Sequence, residues 1–384
     1  GQWAAAAGRL RDHEEACRVY LPGGRPPRVG QIFRQPDLAR TFRILADEGP
    51  QAFYRGKIAQ ALADAVQARG GWLDVSDLRQ HRTTWEEPIT TDYKGVTVYE
   101  HPPNGQGLAA LLALNLAAAA GFDQDESAPA LEWGAPETTH ILIEAMKLAF
   151  ADGFRYIADP ALEKVPLRAL LSRGYAAKRA NLISPGRAMP APAPGTLPPG
   201  SDTVYLSVID GEGNAISFIN SLFYGFGAGI VAPGTGICLQ NRGCLFSLDP
   251  EHPNVLEPGK RPYHTIIPAM ACREGRLWLS FGVMGGFMQP QGHVQVLTNL
   301  LNFAMSYQEA LDAPRWRVNN DGTVSLEPGF PEGLREKLSE MGHRLTPEEP
   351  AWSDGFGGGQ IVAREEGVLW GASDPRKDGC AAGW

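Results

Sequence analysis

Asp202 and Thr203 lie where the sequence changes pattern abruptly. Residues 188–202 are rich in Pro, Ala and Gly without periodicity, whereas residues 203–210 alternate as a strand does. Cleavage before Thr203 would give one residue both a hydroxyl and a free α-amine, so that a nucleophile and its base come together. An α-amine has a pKa of about 7.7–8 in model peptides, which suits a base working near neutrality. The pattern is typical of a self-cleaving precursor; the alternative is a Thr that simply begins a strand after a loop.

Two further features could complete an acyl-transfer site around Thr203. Ser221 lies eighteen residues downstream, near the end of the next predicted strand, and a hairpin could bring its hydroxyl beside Thr203. Gly285 and Gly286 follow an apolar strand pattern and precede a helical one, where backbone N–H groups point outward and can stabilise an oxyanion. The alternatives are a strand-end Ser bonded to solvent and a plain left-handed turn.

The hydrophobic pattern predicts the elements that must position these residues. The first half is expected to be mostly helical, and short strands with Gly-containing turns dominate after Thr203. Helices are expected over residues 36–48, 57–68, 107–120, 138–156, 294–305 and 331–341, and strands over residues 95–99, 203–210, 215–220 and 277–281. Residues 107–120 are apolar almost all round, which predicts a buried helix. The pattern suggests an α/β fold of two sheets covered by helices.

Motifs spread from about residue 31 to the C-terminus occur in an order typical of one enzyme family. They cover residues 35–39, 48–56, 140–152, 203–218, 225–231, 282–286 (Gly-Val-Met-Gly-Gly) and 372–379. With these motifs the chain resembles the γ-glutamyltranspeptidase family of N-terminal-nucleophile hydrolases. The resemblance implies an αββα four-layer sandwich, an architecture that the hydrophobic pattern alone does not give.

The resemblance also implies a role for each candidate residue. Thr203 would be the nucleophile, released by cleavage of the Asp202–Thr203 bond; Ser221 would hold its α-amine, and Gly285 and Gly286 would form the oxyanion hole. Cleavage would separate a mostly helical large-subunit portion, residues 1–202, from a small-subunit portion, residues 203–384, and the two fragments would associate as one αββα unit. Because the resemblance begins inside the large subunit, we expect an N-terminal part of the native protein to be absent.

Several positions that bind the substrate in the family hold different residues in this chain. A Gln and an Asp that bind the glutamyl α-amine and α-carboxylate are replaced by Arg242 and Leu245, and Leu245 cannot balance a buried ammonium. A Ser-Ser pair that binds the carboxylate is replaced by His264 and Thr265, and a further Asn is replaced by Phe223. The machinery for attack on an amide therefore matches the family, while the pocket for a free γ-glutamyl group does not.

These replacements predict a small-molecule amide whose acyl group carries a carboxylate without an α-amine, such as a glutaryl group, and passes to water or an amine. Arg242 and His264 would bind the carboxylate, and Phe223 would contribute an apolar wall. Thr265 and Asn241 are further candidates for the substrate-binding site, and for Asn241 a structural role, with its side chain bonded to main chain near the site, is the favoured alternative. The pattern resembles a divergent branch that includes cephalosporin-acylase-like members. The alternatives are an authentic glutathione hydrolase or transpeptidase and a non-catalytic binding protein of the same fold.

Some residues look functional but are predicted to be structural. Thr138-Thr139-His140 is similar to the start of many members' small subunits, yet it heads a long helix, where Thr138 is expected to be the N-cap. Isolated histidines are expected to be surface or core residues, and two acids on one helix are expected to be solvated or salt-bridged: His101, His140, His293, Glu144 and Asp152.

Composition narrows the possible partners. The charged residues give a net charge of −8 with mixed signs and no basic stripe, so that no nucleic-acid partner is expected. No stretch approaches ~18 consecutive apolar residues, so that no membrane-spanning helix and no membrane partner are expected. The five cysteines show neither a CxxC motif nor metal-ligand spacing, so that no metal or cofactor is expected. A homo-oligomer is possible. We expect a soluble protein with the cytoplasm as the favoured compartment, although a targeting segment would have been lost with the N-terminal part.

Overall fold

A computed structural model describes residues 2–123, 131–190 and 202–384. The chain divides into two compact units: a first unit of Gly1–Glu86 with Leu222–Arg242, and a second unit of Glu87–Ser221 with Gly243–Trp384. The predicted division at Thr203 concerns the covalent chain before and after cleavage, and it stays a prediction. Much of the predicted linker before Thr203, residues 191–201, lies outside the described residues.

The first unit is built from short helices. They are α1 Gln2–Arg11, α2 Glu14–Tyr20, α3 Pro36–Glu48, α4 Gln51–Tyr54, α5 Lys57–Gln67 and α6 Val75–Gln80. Helix α3 begins at Pro36, whose fixed φ suits the first helical position, and ends at Gly49, whose φ of +81° breaks it. Apolar side chains form one cluster around Leu10 and Leu21 and another around Ile58 and Leu62. The predicted helices 36–48 and 57–68 are confirmed.

The second unit contains the strands and the longer helices. Its strands are β1 Ile89–Tyr93, β2 Val96–Glu100, β3 Asp202–Ile209, β4 Ala215–Phe223, β5 Ala269–Arg273, β6 Arg276–Met284, β7 Trp316–Val318, β8 Val324–Leu326, β9 Gly358–Glu365 and β10 Val368–Ser373. The last two residues of β4, Leu222 and Phe223, already belong to the first unit. Its helices are α7 Gly107–Ala117, α8 Pro136–Tyr156, α9 Leu167–Leu170, α10 Arg173–Ala180, α11 Met288–Leu301, α12 Tyr307–Asp312 and α13 Leu334–Glu340. Within the described part of the chain, no helix is long and apolar enough to cross a membrane.

A six-stranded antiparallel sheet forms the centre of the second unit. Its strand order is β1-β2-β5-β6-β9-β10. Helices α7 and α11 pack against one face, where Val283 and Phe281 of β6 contact Gly292 and His293 of α11. Helix α7 is buried along nearly its whole length and also packs against α8, which confirms the prediction of a buried helix.

The β3–β4 hairpin packs against the opposite face of this sheet. The Tyr205 ring covers Gly282, where a Cβ atom would lie only 2.5 Å from the ring, and Ser207 Oγ lies 2.6 Å from Ser280 Oγ. Helix, sheet and sheet are therefore stacked as three layers in this unit. The outward side of the hairpin carries exposed apolar side chains: Val204, Leu206, Val208, Ile216 and Phe218.

Two predicted helix starts are wrong for identifiable reasons. Helix α8 begins at Pro136 with Ala135 as its N-cap, so that Thr138 lies inside the first turn and is buried; the N-cap prediction neglected the preference of Pro for the first helical position. Helix α11 begins at Met288 instead of residue 294. Its first turns carry buried polar residues such as Gln289 and Gln291, which interrupt the apolar pattern.

The C-terminal motif, residues 372–379, forms a buried ionic network. Asp374 lies 2.6 Å from Arg315 and 3.1 Å from Arg376, and it also accepts the backbone N–H of Gly359 on β9 at 2.8 Å. Arg376 donates in addition to Glu327 at 2.9 Å. All three partners of the central carboxylate are buried, and the network joins the segment after β10 to Gly359 on β9 and to Arg315, the residue before β7.

We expect Asp374→Ala to lower the free energy of unfolding by about 3–5 kcal/mol, because it leaves the buried Arg315 guanidinium without its carboxylate partner and removes one of the two carboxylates that pair with Arg376. Denaturant unfolding at pH 7 measures the change. Asp378→Ala, four residues away and exposed, is the matched control and should change the stability by no more than about 0.5 kcal/mol. A loss below about 1 kcal/mol for Asp374→Ala would contradict the role of the network.

Candidate active site

Thr203 is the second residue of β3 and is 6% exposed. Its Oγ1 donates a hydrogen bond to Ser221 Oγ on β4 at 3.0 Å. The hairpin therefore brings Ser221 beside Thr203, as the lengths of the two strands predict. Their proposed roles as nucleophile and amine ligand stay predictions.

The packing of β3 on β6 places Thr203 near the glycine pair. Thr203, Tyr205 and Ser207 share one face of β3 because side chains alternate along a strand. Tyr205 and Ser207 lie against residues 282 and 280, so that the two strands run in opposite directions across the interface. Two residues further back, Thr203 faces the carboxyl end of β6, from which Gly285 and Gly286 continue the chain.

Gly285 and Gly286 form a turn between β6 and α11 that only glycine adopts readily. Their φ angles are +135° and +60°. The carbonyl of Gly285 accepts the N–H of Met288 at 3.0 Å, and because C=O and N–H point in opposite directions across a trans peptide, the N–H of Gly286 points away from the helix. Among the described residues, neither glycine N–H donates a hydrogen bond. Two backbone donors are thus available for an oxyanion.

His264 and Thr265 lie on a strand-like stretch in the second unit. His264 is half-buried, its backbone N–H donates to Asn104 O at 2.8 Å, and its Nδ1 accepts from the N–H of Ile266 at 3.3 Å. In a neutral His264, Nε2 therefore carries the proton. Thr265 is completely buried. The substrate contacts of both residues stay predictions.

Phe223, Asn241 and Arg242 lie in the first unit. Asn241 Oδ1 accepts the backbone N–H of Tyr224 at 3.1 Å, the main-chain bond expected of a structural Asn. Phe223 has a φ of +77°, a strained conformation for a non-glycine residue, and its ring stacks on Tyr224. Arg242 is 3% exposed and its guanidinium lies 5.5 Å from the centre of the Phe223 ring. Carboxylate binding by Arg242 stays a prediction.

Sequence reasoning missed Gln106, which directly precedes the apolar helix α7. Its side chain is completely buried and bonds to the carbonyl groups of Thr265 and Gly286. The sequence signal was a single polar residue between Gly105 and Gly107 at the start of an otherwise apolar helix. The pattern of residues 102–105 predicted only that the preceding strand ends there.

The residues predicted to be structural have partners in the described chain. His293 is buried, accepts the N–H of Val283 at 3.1 Å and donates to Glu100 at 2.6 Å. Asp152 pairs with Arg179 at 2.7 Å, which confirms the salt-bridged alternative. His101 is exposed and donates to the carbonyl of Pro102 at 2.9 Å.

His140, Glu144 and His343 offer ligand atoms within 4.8 Å of one another, but a buried ammonium already binds two of them. Lys147 Nζ donates to Glu144 Oε1 at 2.7 Å and to His343 Nδ1 at 3.2 Å. His343 therefore donates through Nε2 to His140 Nδ1, and His140 donates to the carbonyl of Ser184, both at 2.8 Å. This arrangement requires both imidazoles to be neutral.

We expect this cluster to destabilise the fold as the pH falls. Burial and the neighbouring Lys147 and His140 lower the pKa of His343 from 6.5 to about 3. At pH values between these two pKa values, His343 is protonated in the unfolded chain but not in the folded chain. The free energy of unfolding therefore falls by up to about 1.4 kcal/mol for each unit by which the pH is lowered. Denaturant unfolding from pH 6.5 to 4 measures how the free energy of unfolding changes with pH. In His343→Gln this slope should be smaller by about 1.4 kcal/mol per pH unit, the contribution of one proton. Equal slopes for the two proteins would contradict the assignment.

Comparison with known proteins identifies the family. The sequence model named Gamma-glutamyltranspeptidase matches residues 1–384, the whole chain. The chain belongs to the gamma-glutamyltranspeptidase family. This membership confirms the resemblance inferred from the motifs.

Gamma-glutamyltranspeptidase relatives with different names are similar to the chain. The glutathione hydrolase-like YwrD proenzyme of Bacillus subtilis is 39% identical over 95% of the chain and 69% of its own length. The oxamate amidohydrolase proenzyme of Klebsiella pneumoniae is 37% identical over 98% of the chain and 70% of its own length. The crystal structure of cephalosporin acylase from Bacillus halodurans is 43% identical with a TM-score of 0.89, covering 100% of the chain and 70% of that protein. The chain therefore spans about two thirds of the length of these relatives.

The structural match to cephalosporin acylase confirms the predicted N-terminal-nucleophile hydrolase fold. The predicted enzyme class, a hydrolase or acyltransferase, is that of the named relatives, and two of them are called proenzymes.

Proposed function

We propose that the chain is the precursor of an amidohydrolase or acyltransferase that cleaves itself between Asp202 and Thr203 and then uses Thr203 as its nucleophile. One observation carries the proposal. The hydroxyl of the buried Thr203 donates to Ser221 at 3.0 Å, and the packing of β3 on β6 directs Thr203 toward the Gly285–Gly286 turn. Acyl transfer by such an enzyme needs a nucleophile, a partner for its α-amine and backbone donors for an oxyanion.

Self-cleavage begins when Thr203 Oγ attacks the carbonyl carbon of Asp202. The amide C–N bond breaks, an ester forms between Asp202 and the Thr203 hydroxyl, and the nitrogen of Thr203 becomes a free α-amine. Water then hydrolyses the ester, which leaves a carboxylate on Asp202 and restores the hydroxyl. In turnover the α-amine accepts the hydroxyl proton as Oγ attacks the substrate amide, and it returns that proton to the leaving amine. Water or a second amine takes the acyl group from the ester.

The two fragments would remain together because they share one sheet. Strand β2 lies before the cleavage point and β5 after it, and they pair from Val96 opposite Arg273 to Glu100 opposite Ala269. Helix α7 of the first fragment also packs against α11 of the second. We expect both fragments to co-purify as one particle under native conditions.

The favoured substrate is an amide whose acyl group bears a carboxylate and lacks an α-amine. Leu245, buried at 7% exposure, carries no charge to balance an ammonium. One relative supports this chemistry by name: it acts on oxamate, an amide with an adjacent carboxylate. Glutathione is the second candidate, which the name of the Bacillus subtilis relative favours.

Anilide substrates separate the two candidates. Turnover of glutaryl p-nitroanilide by the cleaved protein should exceed that of γ-glutamyl p-nitroanilide, and the colour of the released nitroaniline reports both. The two compounds differ only by the α-amine, so that each serves as the control for the other. Faster turnover of the γ-glutamyl compound would contradict the proposed acyl preference and favour glutathione.

The cleavage itself is tested by intact mass under denaturing conditions with N-terminal sequencing. Two fragments, one of which begins at Thr203, are the expected result. A single chain of 41.5 kDa would contradict self-cleavage of this protein and favour a binding protein of the same fold.

A further inference from the structure

Gln106 occupies a central position between the two segments of the proposed site in the second unit. It is the N-cap residue of α7, and its side chain is completely buried. Its Nε2 donates to Thr265 O at 2.7 Å and to Gly286 O at 2.8 Å. Because both acceptors are carbonyl oxygens, the amide nitrogen and not the oxygen must face them, and both of its hydrogens are used.

The Gly286 carbonyl is held from two sides. It accepts from Gln106 Nε2 and, at 3.2 Å, from the backbone N–H of Gln289 in the first turn of α11. Gln289 in turn accepts the backbone N–H of Ile267 through its side-chain oxygen at 3.1 Å. Two buried glutamines thus tie the stretch that carries His264 to the glycine turn, and the peptide plane after Gly286 is fixed.

The backbone around Gln106 strengthens the same connection. Its own N–H donates to His264 O at 2.9 Å, and His264 N–H donates to Asn104 O at 2.8 Å. The Asn104 side chain donates to the carbonyl of Pro262 at 2.6 Å. Residues 104–106 therefore bind the stretch 262–265 through main chain and side chains, and the Gln106 side chain extends this connection to Gly286.

We propose that Gln106 is a positioning residue for acyl transfer: it holds the Gly286 turn and the His264–Thr265 stretch in one arrangement without contacting the substrate. This role rests on the proposed function, in which Gly286 stabilises the oxyanion and His264 binds the acyl carboxylate. Catalytic donors must be fixed before charge develops, since a misplacement of about 1 Å can cost about 10²-fold in rate. Losing the Gln106 amide leaves the two carbonyl groups without this donor and frees the turn to rotate.

Gln106→Glu and Gln106→Leu test the role through the pH dependence of turnover. A buried glutamic acid keeps one O–H donor when protonated, whereas its carboxylate would repel both carbonyl oxygens, and burial favours the protonated form. Turnover per cleaved molecule, relative to wild type at the same pH, should therefore be at least tenfold higher at pH 5.5 than at pH 8.5 for Gln106→Glu. For Gln106→Leu it should be at least tenfold below wild type at both pH values.

Gln295→Glu is the matched control. Gln295 also lies buried on α11 and donates through Nε2 to two main-chain carbonyls, those of Gln291 at 3.1 Å and Trp316 at 3.0 Å. It should lose thermal stability, yet its turnover relative to wild type should not change with pH. The comparison is made at a temperature where all variants remain folded, which thermal melts establish.

The outcomes distinguish this role from the proposed function. A pH-independent ratio for Gln106→Glu, or more than a third of wild-type turnover in Gln106→Leu, would overturn the positioning role alone. A wild-type chain that neither cleaves nor turns over any amide would overturn the proposed function and this role with it.

Discussion

Thr203→Ala leaves the chain uncut and abolishes turnover, with activity lower by about 10³-fold or more. The substitution removes the hydroxyl that attacks both the Asp202 carbonyl and the substrate, so that one change stops both reactions. Intact mass after prolonged incubation measures the first loss, and release of nitroaniline from an anilide substrate measures the second. Thr203→Ser keeps a hydroxyl and should cleave more slowly than wild type without losing the reaction.

Thr90→Ala is the control for this substitution. Thr90 is exposed on β1, so that loss of its hydroxyl should leave cleavage and turnover at wild-type rates. Two fragments from Thr203→Ala, cut at the same bond, would rule out Thr203 as the attacking residue. Ser221→Ala should lower the rate of turnover more than the rate of cleavage, because its predicted partner, the α-amine, exists only after cleavage.

Gly285→Ala should lower kcat by about 10²–10³-fold and slow self-cleavage as well. The residue has a φ of +135°, and a Cβ atom there would lie 3.0 Å from both Gly357 Cα and Met288 Cβ. The turn must therefore shift, which moves the two N–H donors relative to Thr203. Rates of cleavage and turnover, compared with thermal stability, measure the effect.

Gly275→Ala separates donor displacement from backbone strain. Gly275 also has a positive φ, +73°, but a Cβ atom there meets nothing within 4 Å. It should cost about 1–2 kcal/mol in stability and leave the rates unchanged. Equal kinetic losses in both variants would attribute the effect to strain and would contradict an oxyanion role for the glycine turn.

The sequence predicted those parts of the site that depend on local pattern. Alternation identified the strands that carry Thr203 and Ser221, and their lengths predicted the hairpin contact observed at 3.0 Å. Gly285-Gly286 was recognisable because the pair lies between an apolar strand pattern and a helical pattern, within a motif that resembles the family. The prediction of an αββα sandwich came from the family resemblance alone, because apolar periodicity does not tell which sheet faces another.

Other features could not be predicted because they depend on contacts distant in sequence. Gln106 bonds to residues about 160 and 180 positions away, so that no local pattern reveals its role. The early start of α11 was hidden by polar residues that are buried against main chain, and a hydrophobic pattern treats such residues as surface. Lys147 and His343, which meet 196 positions apart, were missed for the same reason.

The pairing of β2 with β5 across the cleavage point has a consequence for the molecularity of unfolding. The uncut chain refolds in a first-order reaction, and its thermal midpoint should not depend on protein concentration. After cleavage, the same ladder joins two separate polypeptides, so that mass action enters the equilibrium and the midpoint should rise with concentration. Cleavage thus changes refolding from a unimolecular reaction into a bimolecular one. Fragments that have separated must associate before β2 and β5 can pair again.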